Sequence, residues 1–170
     1  MQAPETVWQA SAGQGAVLEL EQETQLSCIR VFGGLDTGTV CMTGDDGSTL
    51  EYTEENGDMF RWVDIGGEGW QTKTLTIQVQ QGTVWFNEIA CFDQAGNYIP
   101  ITGWEATGEG APEAALLCDE PDQVPAYPSS KNGMYFDELY HARTAYEHLH
   151  GLTPYENSLS LIHISEPTRP

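Results

Sequence analysis

Residues 72–79, with the sequence TKTLTIQV, show the pattern that decides the fold class. Polar and apolar residues alternate at every position, in the order Thr74, Leu75, Thr76, Ile77, Gln78 and Val79. Successive side chains of a β-strand point to opposite faces of a sheet, so this stretch predicts a strand with one buried face and one wet face. A half-covered sheet needs a second layer to bury its apolar side.

Similar short runs surround this strand on both sides. They are residues 16–20, 25–32, 39–43, 50–53, 60–65 and 83–92, with an extension through 98–101. Gly, Asp and Asn stand between the runs and supply the positive-φ positions that tight turns need, at Gly33-Gly34, Asp45-Asp46-Gly47, Asn56-Gly57, Gly66-Gly67 and Ala95-Gly96-Asn97. Seven or more strands at this spacing predict a mainly β, antiparallel sandwich or jelly roll.

The composition changes after residue 102. Residues 103–132 are rich in Gly, Pro and acidic residues and predict a linker or an irregular wrap. The next stretch, FDELYHARTAYEHLHG, predicts one amphipathic helix that begins at Phe136 or Asp137 and ends near His150. Asp137 suits the N-cap and Gly151 the C-terminal stop, while the apolar face consists of Leu139, Ala142, Tyr146 and Leu149.

The charge balance argues against a nucleic-acid partner. The chain of 170 residues carries 26 acidic and 6 basic residues, for a formal charge of −20. Such a surface repels phosphate backbones and anionic lipid headgroups. No run approaches the roughly 18 to 20 apolar residues of a membrane span, and MQAPETVWQ lacks the pattern of a signal peptide.

The last twelve residues, LSLIHISEPTRP, differ in style from the rest of the chain. We interpret residues 159–170 as a translated sequencing adapter rather than a natural tail, and we expect the natural protein to continue beyond about Ser158. We also expect that Met1 is not its natural start.

The four cysteines, Cys28, Cys41, Cys91 and Cys118, form no close pair. Structural zinc usually takes its ligands from close pairs, so we expect no metal there. Buried free thiols are the favoured interpretation, with a Cys28 to Cys41 disulfide between neighbouring strands as the alternative.

Three stretches of the β region are similar to the discoidin-like, galactose-binding-like family. They are AVLELEQETQLSCIRVFGG (residues 16–34), MTGDDGSTLEY (42–52) and TVWFNEIACFDQAGNYIPI (83–101). The resemblance implies a jelly-roll sandwich over residues 1–102, which in that family often binds sugars or lipid headgroups through loops at one end.

The tryptophans are the candidate sugar-binding residues, because an indole ring can stack on a sugar. Trp62 and Trp85 lie within strand patterns and are expected in the core, whereas Trp70 is expected to be exposed and to bind substrate. Trp8 and Trp104 are further candidates. Loop residues Asp45, Asp46 and Asp58 suit either calcium binding or ordinary turn chemistry.

The segment MYFDELYHARTAYEHLHGLTPYENS, residues 134–158, resembles the first extracytoplasmic loop of GT-C glycosyltransferases that use a lipid carrier, notably the protein O-mannosyltransferase-like family. In that family an Asp-Glu pair follows the first membrane helix, and a short helix leads to a His-Pro-Pro-Leu motif. Asp137-Glu138 matches the acidic pair, and Pro154-Tyr155-Glu156 matches the approach to the motif, which is itself absent here.

The resemblance implies that Asp137 is the catalytic base, with Glu138 as a supporting carboxylate. A carboxylate can take the proton of an acceptor hydroxyl as that hydroxyl attacks the sugar of a polyprenyl phosphate. His141 and Arg143 can meet the phosphate. The alternatives are that Asp137 only caps the helix and that His141 and Arg143 are exposed surface residues. Glu138 and His141 also have the Glu-x-x-His spacing that forms one half of a carboxylate-bridged metal site. The sequence contains no second copy of this motif, so no metal or other cofactor is expected.

The sequence therefore predicts four regions: a β domain at 1–102, a wrap at 103–135, the start of a catalytic loop at 136–158 and the adapter. The expected parent is a bacterial membrane enzyme of the extracytoplasmic face, whose partners are a carrier-linked sugar, a hydroxyl acceptor and no nucleic acid. On this hypothesis the fragment is inactive alone. The rival hypothesis is a noncatalytic extracellular carbohydrate-binding module.

Overall fold

The computed structural model describes residues 3–55, 58–127, 137–149 and 151, with the backbone alone for residues 137–140. The chain divides into two compact units, Met1–Met134 and Tyr135–Pro170. The first unit contains the β-strands and two short 3-10 helices, and the second contains helix α1, Asp137–Leu149. In the part of the chain that the structure describes, no helix has the length and apolar character needed to cross a membrane.

The first unit is built from antiparallel strands that join into one nine-stranded sheet. The strands are β1 (Trp8–Ser11), β2 (Gly15–Gly33), β3 (Thr39–Gly44), β4 (Thr49–Thr53), β5 (Trp62–Gly66), β6 (Gln71–Gln81), β7 (Thr83–Asp93), β8 (Tyr98–Ile99) and β9 (Ile101–Thr107). The mainly β, antiparallel class predicted from the sequence is confirmed. The finer assignment to a jelly roll of the galactose-binding-like type stays a prediction.

Strand β2 joins the two halves of the sheet because it is long enough to pair with different partners along its length. Its first half, around Leu18, pairs with β6 and β9, and its second half, around Val31, pairs with β7 and β5. The sequence predicted two strands here, at 16–20 and 25–32. The polar residues between these runs break the apolar pattern, but the structure bridges them with an irregular register instead of a turn.

Apolar side chains from both halves of the sheet form the main core, which includes the fully buried Trp8, Leu18, Ile77 and Phe86. The alternation predicted for residues 72–79 is confirmed, since Leu75, Ile77 and Val79 of β6 are buried. A second, smaller cluster consists of Phe32, Trp62, Ala90 and Phe92, with Val124 packed against it.

The region after residue 102 contributes more to the fold than the composition predicted. Strand β9 continues to Thr107, past the expected domain boundary, and pairs with β2. The 3-10 helix Ala114–Leu117 then places Ala114 and Leu117 in the main core. Residues 108–127 are irregular apart from two short 3-10 helices, and Ala114 and Leu117 show that this stretch contributes to the core, which the composition did not predict.

The predicted turn glycines fall into two groups. Gly47, Gly66, Gly67 and Gly96 adopt positive φ, as expected. Gly33 and Gly34 do not, so the positive-φ prediction is wrong for them. A side chain would instead collide there: a Cβ at Gly34 would lie 2.3 Å from the Trp85 ring, and one at Gly33 would lie 2.8 Å from Glu54 Oε1. The predicted Asn56-Gly57 turn lies outside the described residues.

Candidate functional site

Helix α1 carries the acidic pair that the sequence analysis assigned to catalysis. The helix begins at Asp137, as predicted, so the backbone places Asp137 and Glu138 in its first turn. The positive end of the helix dipole lies at this terminus and favours negative charge.

The rest of the helix departs from the predicted amphipathic pattern. Leu149, expected on the buried face, is 83% exposed, whereas the charged Glu147 is buried. Glu147 is accommodated because its Oε1 accepts a hydrogen bond of 2.8 Å from Nε of Arg143, one turn earlier. The ion pair satisfies the buried charge, and the apolar pattern gave no sign of it.

The two predicted phosphate-binding side chains therefore differ in their surroundings. His141 is exposed on the helix, which suits either a surface role or contact with an anionic ligand. Arg143 is partly buried and forms the pair with Glu147. Binding of a phosphate by Arg143 would compete with this intrahelical ion pair. Of the two, His141 is the more accessible candidate.

The structure reverses the expectation for one tryptophan, Trp70. Trp70, predicted to be exposed and to bind substrate, is only 8% exposed and belongs to the main core. The glycine-rich turn before it returns the chain to the sheet, where the Trp70 carbonyl accepts a hydrogen bond from the Leu26 amide. Trp62 and Trp85 are buried, as predicted. Trp104 on β9 is half exposed, and it is the accessible ring among the five.

The loop carboxylates proposed for calcium are engaged in hydrogen bonds to the protein. Asp45 accepts from the Thr72 hydroxyl, and Asp46 accepts from the amides of Ser48 and Gln71. Asp58 accepts from the Tyr52 hydroxyl and pairs with Arg61. These contacts match the turn-chemistry alternative. Within the described ranges, no group of three or more His, Cys, Asp or Glu residues is arranged to hold a metal ion.

All four cysteines are free thiols. The alternative of a Cys28 to Cys41 disulfide required neighbouring strands, but β2 and β3 do not pair, because β6 lies between them. Cys91 is fully buried on β7, and burial raises the pKa of its thiol to about 12.

Two buried carboxyl groups of the first unit were also missed by the sequence analysis. Glu54 follows β4 and is 4% exposed, and Glu88 lies on β7 and is fully buried. Burial raises the pKa of each to about 8, and nearby carboxylates add to the effect, Asp36 and Asp58 for Glu54 and Asp119 and Glu120 for Glu88. For Glu88 a signal was present, since it stands inside the apolar run WFNEIACF.

Each of these carboxyl groups has one bonded oxygen and one unbonded oxygen. Oε2 of Glu54 accepts from the Trp85 amide at 3.0 Å, and Oε2 of Glu88 accepts from the Glu120 amide at 3.1 Å. Oε1 of both residues is buried without a hydrogen-bond partner among the described residues. A buried carboxyl group with so few donors is more stable when protonated.

Searches of protein-family models, curated proteins and solved structures found no match to this chain. The resemblance of residues 134–158 to lipid-carrier glycosyltransferases therefore depends on the motif residues themselves.

Proposed function

We propose that this chain is part of a cell-envelope glycosyltransferase that transfers a sugar from a polyprenyl-phosphate carrier to a hydroxyl group of a protein or an envelope glycan. The observation that carries the proposal is the Asp137-Glu138 pair at the start of helix α1, within a segment that resembles the first extracytoplasmic loop of GT-C enzymes. The β domain is then a noncatalytic insertion on the extracytoplasmic side of the membrane.

The proposed reaction is a displacement at the anomeric carbon of the carrier-linked sugar. Asp137 takes the proton of the acceptor hydroxyl while the acceptor oxygen forms a bond to that carbon. The bond between the carbon and the carrier phosphate breaks, and the polyprenyl phosphate leaves with the electron pair. Glu138 supports the base, and His141 is the candidate contact for the phosphate. No metal ion or organic cofactor is required by this balance.

The test is the Asp137→Asn variant of the full-length enzyme, recovered with its membrane helices. Asparagine keeps the shape of the side chain but cannot accept the proton, so transfer should fall by about 100-fold or more. The exposed carboxylate of Asp122 gives a matched control, because Asp122→Asn should retain full transfer. Both variants should keep the melting temperature of the β domain. Retained turnover in Asp137→Asn would show that another group is the base.

A second function is favoured by one observation, the half-exposed ring of Trp104 on the β9 strand. The β domain would then bind a glycan by stacking of a sugar on this ring, either within the transferase or as a secreted binding module. Glycan-array binding by the chain, compared between the natural sequence and Trp104→Ala, tests this candidate. The surrounding reading frame separates the two parents, because a transferase requires hydrophobic spans and a secreted module requires a signal peptide.

A further inference from the structure

Residues 118–123, which we name the strap, cross the position of Glu88 on β7. Within the strap, the Glu120 amide donates to Oε2 of Glu88. The Glu120 carboxylate in turn binds the N-terminal segment, because its Oε2 accepts hydrogen bonds from the amides of Glu5 at 2.6 Å and Thr6 at 2.8 Å. The buried carboxyl group of Glu88 is therefore bonded to the strap, and the strap is bonded to the N-terminal segment.

The strap is anchored firmly on either side of this contact. Leu117, immediately before it, is fully buried in the main core. Pro125, after it, accepts a hydrogen bond of 2.6 Å from Nη1 of Arg30, whose guanidinium also stacks on Phe92. Between the anchors, contacts of the strap are mainly polar, such as the Thr6 hydroxyl at 2.7 Å from Oδ1 of Asp119. The strap can therefore lift without disturbing the core.

From these contacts we propose that Glu88 and the strap form a pH-sensitive latch. With Glu88 protonated, the strap and the N-terminal segment stay closed over β7. When Glu88 loses its proton, its charge lies in a buried site beside Asp119 and Glu120, with one N–H donor to stabilise it. The strap then opens between Leu117 and Pro125 and admits water to the carboxylate. This device is independent of the proposed sugar transfer.

The charged and titratable groups around Glu88 support closure only in the protonated state. The strap contributes the carboxylates of Asp119 and Glu120 and the neutral thiol of Cys118, and β8 contributes the neutral Tyr98. On the adjacent strand β2, Arg30 is bound to Asp64. From the N-terminal segment, Glu5 contributes its amide to Glu120. Among these groups, none offers Glu88 a cationic partner.

The direction of the effect follows from proton linkage. Glu88 binds its proton more tightly in the closed state, with a pKa of about 8, than in an open state near the ordinary value of 4.5. Opening is therefore favoured as pH rises between these values, and the opening constant rises by up to about tenfold per pH unit before it levels off above pH 8. Below pH 4.5 both states are protonated and the latch stays closed.

The experiment is amide hydrogen exchange by NMR on the whole chain between pH 5 and pH 9, with rates corrected for intrinsic exchange. The Glu120 amide reports on the strap, and the Ala90 amide of β7 reports on global unfolding. We expect the Glu120 amide to be less protected than the Ala90 amide, and its protection to fall by up to about tenfold per pH unit and to flatten near pH 8. Protection of Ala90 should fall more steeply, because global unfolding exposes both Glu88 and Glu54. An unchanged Glu120 amide, or equal protection of the two amides across the pH range, would overturn the latch.

Two variants assign the effect to Glu88. Glu88→Gln cannot ionise, so its Glu120 amide should have protection that is independent of pH. Glu54→Gln is the matched control, because it removes the other buried carboxyl group of the first unit and should leave the slope at Glu120 unchanged. The same slope in Glu88→Gln as in the natural sequence would overturn the proposal. If Glu88→Gln does not fold, the comparison of the two amides in the natural sequence still decides.

Discussion

The carboxyl group of Glu54 accepts a hydrogen bond of 3.0 Å from the backbone amide of Trp85, 31 residues later in the chain. This bond joins the residue after β4 to β7. It lies beside Gly33, the last residue of β2, and Gly34, the residue after it. Gly33 has no Cβ where Oε1 of Glu54 lies, and Gly34 has none where the Trp85 ring lies. Glu54, Trp85, Gly33 and Gly34 therefore pack closely together around this hydrogen bond.

Glu54 should make the protein less stable as the solution becomes alkaline. Its folded-state pKa of about 8 exceeds the ordinary value of 4.5, so the folded state holds the proton more tightly. The stabilisation is fully present below pH 4.5 and is lost as pH rises through 8, at up to about 1.4 kcal/mol per pH unit. Urea denaturation at pH 5, 6.5 and 8 measures this loss.

The substitution Glu54→Gln isolates this contribution. The neutral amide cannot ionise, so the free energy of unfolding should depend less steeply on pH than in the natural sequence, with the remaining slope due largely to Glu88. Glu51→Gln, on the exposed face of β4, is the matched control and should keep the original slope. Identical slopes for Glu54→Gln and the natural sequence would mean that Glu54 is ionised in the folded protein.

Gly34→Ala should destabilise the first unit through overpacking. The added methyl group would lie 2.3 Å from the Trp85 ring, which is held by its own bond from Nε1 to Asn87. To relieve this clash the buried Trp85 indole must move, and we expect the free energy of unfolding to fall by about 3 kcal/mol. Thermal unfolding measures the loss, with Gly47→Asn as the control, because the turn at Gly47 has space for a side chain and asparagine tolerates its positive φ. Equal melting temperatures would contradict the close packing.

Arg30→Lys should also destabilise the protein, although the charge is kept. Arg30 is buried, its guanidinium binds Asp64 through two nitrogens, and its Cζ lies over the Phe92 ring, 4.2 Å from the ring centre. Lysine has neither the planar fork nor the stacking surface, and we expect a loss of about 2 kcal/mol in urea denaturation. Arg61→Lys at an exposed ion pair should change stability by less than about 0.5 kcal/mol. A similar small change for Arg30→Lys would refute this role.

The strands of the sheet were predictable because alternation of polar and apolar residues is a local property. Their joining was not: the runs at 16–20 and 25–32 belong to one strand because β6 and β7 pair with its two halves, and those partners lie more than 40 residues away. Strand β1, Trp8–Ser11, was missed because four residues carry too short a pattern.

Exposure of individual side chains was harder to predict than strand position. Trp70 is flanked by glycines and looked like a loop residue, but the turn at Gly67–Gly69 returns its ring to the core. Trp104 stands in a glycine-rich, acidic stretch, yet it lies on a strand and remains half exposed. Burial of these rings depends on long-range pairing, which no local pattern encodes. The start of helix α1 at Asp137, by contrast, agrees with the start at Phe136 or Asp137 that the local sequence predicted.

The four cysteines should react with a thiol reagent in a defined order. Cys91 is fully buried with a pKa raised to about 12, so it should not react in the folded protein. Cys28 and Cys118 are half-buried, and burial together with nearby carboxylates raises the pKa of both thiols, so they should react slowly. Cys41, also half-buried, should give the fast phase.

Titration with an aromatic disulfide reagent at pH 8, with and without denaturant, checks this order. Denaturant should expose four thiols, because all four cysteines are free. Cys41→Ser should remove the fast phase and leave the slow phases unchanged, which distinguishes it from the other half-buried thiols. Two thiols in denaturant would instead indicate a disulfide, and since β6 separates β2 from β3, such a bridge would require a different order of strands from the one described.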